Sequence, residues 1–460
     1  MTAAPRDAAA ESPVTFSGYL RLRNIALGGF FPQSGDVDKA SDNYFVSRLR
    51  VNVDFKPNDR VEIRWRFHGP HGARWGTTAT RQNEDFSLFS QYFYGVVKTD
   101  WGTISVGRVS YDIDSAGLRT LGYAPVWGWN GYSNIFDRDS ENDGIMYFNK
   151  WDNGFGLKAF YVKRAHGLPA LTSGGVSYFL KDADYDRYSI EPFYQWDTGG
   201  VSLALQYDRN NFNYSYSNNI AAGSLPDPTV DTNYVVTVNP AFYQGWAVGG
   251  DKKLSVHGEF KYALGKFRRG PIGGVEQREI TQDGFGGYLD LALDYQQGTA
   301  ALAGWYFRGN DQGPGYNRPN DWRDHSLVDG GEGFYPFFLF YYGNNFFAAN
   351  ATRDLEGNQQ PGHWAVALFG NHNINEFVTL NYGIGSFRKT NDYYLADGST
   401  ASRTLGTEVD VGLTVKVLDN LLWQTKVGVF DTGKYYSDVY GRSEFDRTLW
   451  GLANELLFTF

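Results

Sequence analysis

The chain has 460 residues, with 51 acidic against 42 basic side chains, and the net charge of −9 disfavours a nucleic-acid partner. Aromatic residues make up 17% and there are 55 glycines, yet mean hydropathy is negative, because polar residues are interleaved with apolar ones instead of being segregated from them. The absence of cysteine excludes disulfides, thiolate metal centres and c-type haem attachment.

No run of about 18 apolar residues exists, so a helical span is excluded and a closed β-barrel is the remaining way through a bilayer. Residues 1–13 read as a leader that follows a removed signal peptide, ahead of one barrel domain over 14–460. Segment 14–27 sets Leu20 and Leu22 against Arg21 and Arg23. Segment 45–56 sets Leu49, Val51, Val53 and Phe55 against Arg48, Arg50, Asn52 and Asp54. After a turn at Pro57-Asn58-Asp59, segment 61–68 sets Val61, Ile63, Trp65 and Phe67 against Glu62, Arg64, Arg66 and His68. The same unit of strand, tight turn and strand recurs over 86–111, 144–163, 187–209, 232–265, 283–309, 362–389 and 403–432, and 444–460 closes the chain. The expected fold is all-β: a transmembrane antiparallel up-and-down barrel of about 18 strands, with 16 as the alternative. Short turns and long polar connections alternate throughout, which places the turns on the periplasmic side and the loops outside if the amino end is periplasmic. In the last segment Trp450, Leu452, Leu456, Phe458 and Phe460 share one parity. This resembles the carboxyl-terminal assembly signal of outer-membrane barrels.

Arg21, Arg23, Arg48, Arg50, Arg64 and Arg66 lie opposite in parity to the apolar face on three neighbouring strands. Facing lipid near mid-membrane, each would cost about 2–4 kcal/mol, so they are expected to line the lumen as a basic wall. Arg108 joins them only if a bulge reverses its parity, which it shares with Ile104 and Val106. The competing reading makes these arginines stabilising partners of strand-end carboxylates; the two are compatible.

The stretch Gly102-Thr-Ile-Ser-Val-Gly-Arg108, followed by a long connection and then Asp143-Gly-Ile-Met-Tyr-Phe148 and Gly154-Phe-Gly-Leu-Lys-Ala-Phe-Tyr161, resembles the gram-negative outer-membrane porin superfamily, with its general diffusion and maltoporin-like members. The motifs are short and cover roughly the first third of the chain. The resemblance implies an outer-membrane location among lipid and lipopolysaccharide, a homotrimer, and a third external loop folded into the barrel. That loop would carry Asp112, Asp114, Asp137, Asp139 and Glu141 opposite the basic wall, making a transverse field that selects small hydrophilic solutes by size and charge. It would also carry Tyr123, Trp127 and Trp129, either as a sugar track or as packing and interface aromatics. Asp137, Asp139, Glu141 and Asp143 alternate as in a calcium loop but lack its late bidentate glutamate, and a solvated or arginine-paired run is the stronger reading. No cofactor is expected.

Passive diffusion is the leading expectation. A substrate-specific sugar or small-anion porin and a sealed structural barrel are the alternatives. An enzyme is disfavoured because none of the seven histidines stands in a catalytic context, and an energised importer because 13 residues are too few for a plug. The aromatic stretch 334–347 extends strands, caps the mouth or makes a subunit contact.

Overall fold

The computed structural model describes residues 13–28, 41–69, 73–75, 89–110, 141–165, 171–173, 176–178, 185–210, 234–267, 280–308, 337–339, 362–395, 397–441 and 448–460. Eighteen strands form one antiparallel sheet closed on itself: β1 (Val14–Gly28), β2 (Ser41–Asn58), β3 (Val61–His68), β4 (Phe89–Thr99), β5 (Gly102–Ser110), β6 (Glu141–Lys150), β7 (Phe155–Ala165), β8 (Tyr185–Trp196), β9 (Gly199–Asn210), β10 (Tyr234–Gly249), β11 (Lys252–Phe267), β12 (Ile280–Tyr295), β13 (Gly298–Phe307), β14 (His363–Asn373), β15 (Val378–Lys389), β16 (Thr404–Leu418), β17 (Leu421–Thr432) and β18 (Thr448–Thr459). Each pairs with its sequence neighbour, and β1 pairs with β18 from Tyr19 opposite Thr459 to Gly28 opposite Trp450. Closure removes the edges of this sheet, so the backbone groups of the wall pair between neighbouring strands, as a bilayer demands.

Alternation fixes which way each strand faces, since a slip by one residue would turn the apolar set inward. Leu20, Leu22, Val106, Ile145, Leu205, Leu302, Leu368, Val411 and Val427 stand exposed on the outside. Apolar exposure this continuous is untenable in water and is what hydrocarbon requires. Aromatic rings bracket the band. Towards the short turns lie Trp101 stacked with Tyr147, Trp151 with Phe155, and Tyr194 near Trp196. Towards the long connections Tyr161, Tyr188, Tyr207 and Tyr234 form a continuous row across β7 to β10. Such girdles belong at the two membrane–water levels.

Asparagine shapes the short-turn end. The Asn58 side-chain oxygen accepts hydrogen bonds from the backbone N–H groups of Arg60 and Val61, and Asn375 does the same for Phe377 and Val378. These side chains stand in for backbone acceptors that a tight reversal cannot supply. The long-loop end departs from the plain pattern read in the sequence. A short strand, Ala73–Trp75, pairs with β2, and Leu171–Ser173 pairs with Val176–Tyr178 as a separate hairpin. Helix α1 (Lys434–Tyr440) ends on Gly441 in the left-handed region. Its Tyr435 and Tyr436 are buried, and Lys389 donates to the Tyr435 hydroxyl.

Candidate functional site

The inner wall has two chemically distinct sectors. On β1 to β3 the register sets Arg21 opposite Arg48, Arg50 opposite both Tyr19 and His68, Arg66 opposite Asn52, and Arg64 opposite Asp54. Arg21, Arg23 and Arg50 are buried inside, and Arg48, Arg64 and Arg66 share their face. The ladder is braced from its edges. Arg23 Nε donates to Glu455 Oε2 at 2.8 Å across the β1–β18 seam, Arg64 Nε donates to Glu62 at 2.8 Å, and Arg66 Nε donates to Asn52 at 2.7 Å while its guanidinium lies 4.5 Å from the Tyr92 ring centroid. A planar guanidinium suits this work, because it stacks on a ring and donates in the same plane. These six arginines share the inward parity of their strands, and Arg23, Arg64 and Arg66 each donate to a neighbouring side chain.

The second sector runs over β12 to β15 and is made of small residues. Two registered rows cross it and end on acids of β16. One is Ala292, Ala301, Phe369, Gly383 and Asp410; the other is Asp290, Ala303, Ala367, Gly385 and Glu408. Against this shallow face sit Phe337, Phe338 and Leu339 from the connection between β13 and β14, all essentially fully buried. The Phe337 ring meets Phe387 edge-on at 5.2 Å and lies 6.5 Å from Trp305. A Cβ on Gly385 would stand 2.5 Å from Phe337 Cζ, so glycine there makes the room for the ring. The backbone N–H of Phe338 donates to Asp410 Oδ2 at 2.9 Å and that of Leu339 donates to Glu408. Lys426 Nζ approaches the Phe338 ring from β17, 5.8 Å from its centroid. The aromatic stretch flagged in the sequence thus enters the barrel over its described part.

Between these sectors the wall carries paired polar groups. Arg187 holds Asp208 through two bonds, at 2.6 and 3.0 Å, and His257 Nδ1 lies 2.7 Å from Asp290 beneath a stacked Tyr243 ring.

Arg108 does not join the basic wall. It is registered opposite Phe93 with no bulge in the β4–β5 pair, so it keeps the outward parity of Val106. There it donates to Asp143 at 3.2 Å, beginning an outward belt of alternating charge at the level above the tyrosine row: Arg108, Asp143, Lys163, Asp186 and Arg209 stand opposite one another in turn on β5 to β9. An isolated arginine in hydrocarbon is costly, and this one escapes by lying at the rim with a carboxylate beside it. Glu141 and Asp143, expected in the third loop, belong instead to strand β6. Asp112, Asp114, Tyr123, Trp127, Trp129, Asp137 and Asp139 lie outside the described residues, and so does the inward course expected for that loop. The four-acid calcium reading loses its contiguous loop, since half of the set is built into the wall.

The β16 acids and the small-residue sector escaped the sequence reading. The signal was faint: along β13 Thr299, Ala301, Ala303 and Trp305 alternate with Ala300, Leu302, Gly304 and Tyr306, and neither polarity nor size separates the two parities cleanly.

No family model and no curated protein sequence matches the chain. Among solved structures it is similar to OccAB2 of Acinetobacter baumannii (10% identity, 98% of this chain and 99% of that one, TM-score 0.53). It is similar also to OccAB4 of the same organism (11%, 97% and 98%, 0.52) and to OccK8 (OprE) of Pseudomonas aeruginosa (11%, 97% and 98%, 0.51). At these identities the likeness is one of fold, and what it shows is a closed antiparallel barrel of this size over nearly the whole chain.

Proposed function

We propose that the chain is a porin of the bacterial outer membrane: a passive channel for small hydrophilic solutes, with anions favoured by its wall. The single observation that carries this is the inner face of β1 to β3, where, among the described side chains, six guanidinium groups share the wall with two carboxylates, Asp54 and Glu62, and a third, Glu455, reaches Arg23 from β18. A cationic stripe between low-dielectric walls concentrates anions along its length, and a series of donors passes a carboxylate or phosphate onward without holding it. Phe337 to Leu339 fill part of the lumen against β15 to β17, close to the basic stripe, which favours a size-limited, substrate-specific passage over a wide general pore. The outward apolar band and its two girdles support residence in a bilayer, and the superfamily resemblance supports a homotrimer among lipid and lipopolysaccharide.

Liposome swelling with neutral, anionic and cationic solutes of graded size tests the reading. Fastest entry by small monoanions is expected. Equal exclusion of every solute, with no current steps in a planar bilayer, would make the protein a sealed structural barrel.

A further inference from the structure

The segment Phe337–Leu339 occupies a prepared seat. Gly385 opens the wall for the Phe337 ring, and a Cβ on Gly428 would stand 3.0 Å from Phe338 Cδ1 and 3.4 Å from Leu339 Cγ. Two successive backbone N–H groups point into that wall, and each ends on a carboxylate, Asp410 and Glu408, two residues apart on one face of β16. Hydrogen bonds from neutral donors to ionised acceptors are roughly twice as strong as those to neutral ones. The bonds that hold the segment are therefore of the kind that weakens when a proton arrives.

From this we propose that Glu408 and Asp410 form an acid-released latch, which keeps the Phe337–Leu339 segment docked in the lumen at neutral pH and frees it on acidification, widening the passage. The inference rests on the channel reading above. Protonation takes the negative charge from the acceptor, while the ring contacts of Phe337 with Trp305 and Phe387 are unaffected by it. The charged groups around the seat are Lys426 on β17, which interacts with Asp410, and beyond it Arg21 and Arg23 on β1 and Glu455 on β18. Among the described residues, His363 on β14 lies behind the ring that Phe337 meets, accepting a hydrogen bond from the Trp305 ring nitrogen at 3.3 Å. Exchanging a charge-assisted bond for a neutral one lowers the docked-to-free ratio by about tenfold per carboxylate.

Single-channel recording of the full chain from neutral to mildly acidic pH tests the latch. Wild type is expected to step up in conductance on acidification. Glu408→Gln combined with Asp410→Asn, which fixes the neutral acceptors, is expected to show the high level at every pH. His363→Gln should keep the wild-type response. Because the chain has no cysteine, Leu339→Cys with Gly428→Cys offers a single tether, and since a Cβ at Gly428 stands 2.6 Å from Asp410 Oδ1 its reduced form is the control for that contact. Oxidised, it should hold the low level at both pH values, and reduction should restore the step. An acid response that survives in the double amide variant, disappears in His363→Gln, or persists under the oxidised tether would overturn the proposal. A spin label on Leu339→Cys separates the two levels of inference. It should loosen on acidification even if no current flows, in which case the channel reading alone fails, whereas a label that stays immobile sinks the latch.

Discussion

The inner faces of β1–β3 and β12–β15 differ more from each other than their outer faces do. Outside, both present leucine, valine and aromatic rings to the same solvent, hydrocarbon, which admits little else. Inside, one sector is a ladder of arginines and the other a pavement of alanine and glycine that seats a segment of the chain's own loop. Lipid constrains one side of every strand, and the freed side carries what distinguishes this barrel: charge in one sector, and missing side chains where a segment of loop is accommodated in the other.

That contrast can be broken at graded cost. The largest expected effect is at the seam joining the basic sector to the end of the chain. Arg23→Ala leaves Glu455 buried without its guanidinium, at a cost of about 3–5 kcal/mol. Urea unfolding in lipid vesicles reads it, and an unchanged midpoint would show that lumenal water replaces the partner. Next, Leu302→Arg puts a charge on the outer face of β13 and should cost about 2–4 kcal/mol, whereas Arg48→Leu on the inner face of β2 should cost far less. Equal losses would mean that inside and outside had been assigned wrongly.

Gly385→Leu sharpens the comparison from the other sector. Its side chain competes with Phe337 for one volume, and overpacking of about 1–3 kcal/mol should drive the segment off the wall and raise conductance at neutral pH. Gly95→Leu, where an added Cβ meets nothing within 4 Å, is the matched control and should leave conductance unchanged.

The smallest effect lies outside the membrane band. Arg403 donates to Asp392 at 2.7 Å and holds its carboxyl below the usual carboxylate range. A depressed folded value means that the pair stabilises above the unfolded pKa of aspartate and is lost as pH falls through the folded one. Both groups are well exposed, so the loss should stay under about 1 kcal/mol and shrink with salt. Comparing acid unfolding of wild type and Asp392→Asn checks it.

The barrel was legible in the sequence because arginine beside leucine contrasts as sharply as two neighbouring residues can: 48 to 55 and 61 to 68 reveal facing, register and turn at once. The same contrast sets the six arginines of these strands on one parity. Arg108 shows where that logic needed its own parity rule obeyed, since reading it as lumenal required a bulge that β5 does not have. The small-residue sector stayed hidden because alanine facing inward and leucine facing outward differ in volume and hardly at all in polarity. The seat on β16 was harder still. Glu408 and Asp410 read as ordinary lumenal acids, and only the fold brings residues 338 and 339 to them across some seventy positions of chain.

The most direct test of the channel itself is the reversal potential across a bilayer under a potassium chloride gradient, for wild type and for Arg48→Glu combined with Arg50→Glu. Chloride preference in wild type, moving clearly towards potassium in the variant, is the predicted result. Identical reversal potentials in the two proteins would contradict a basic inner wall that governs what passes.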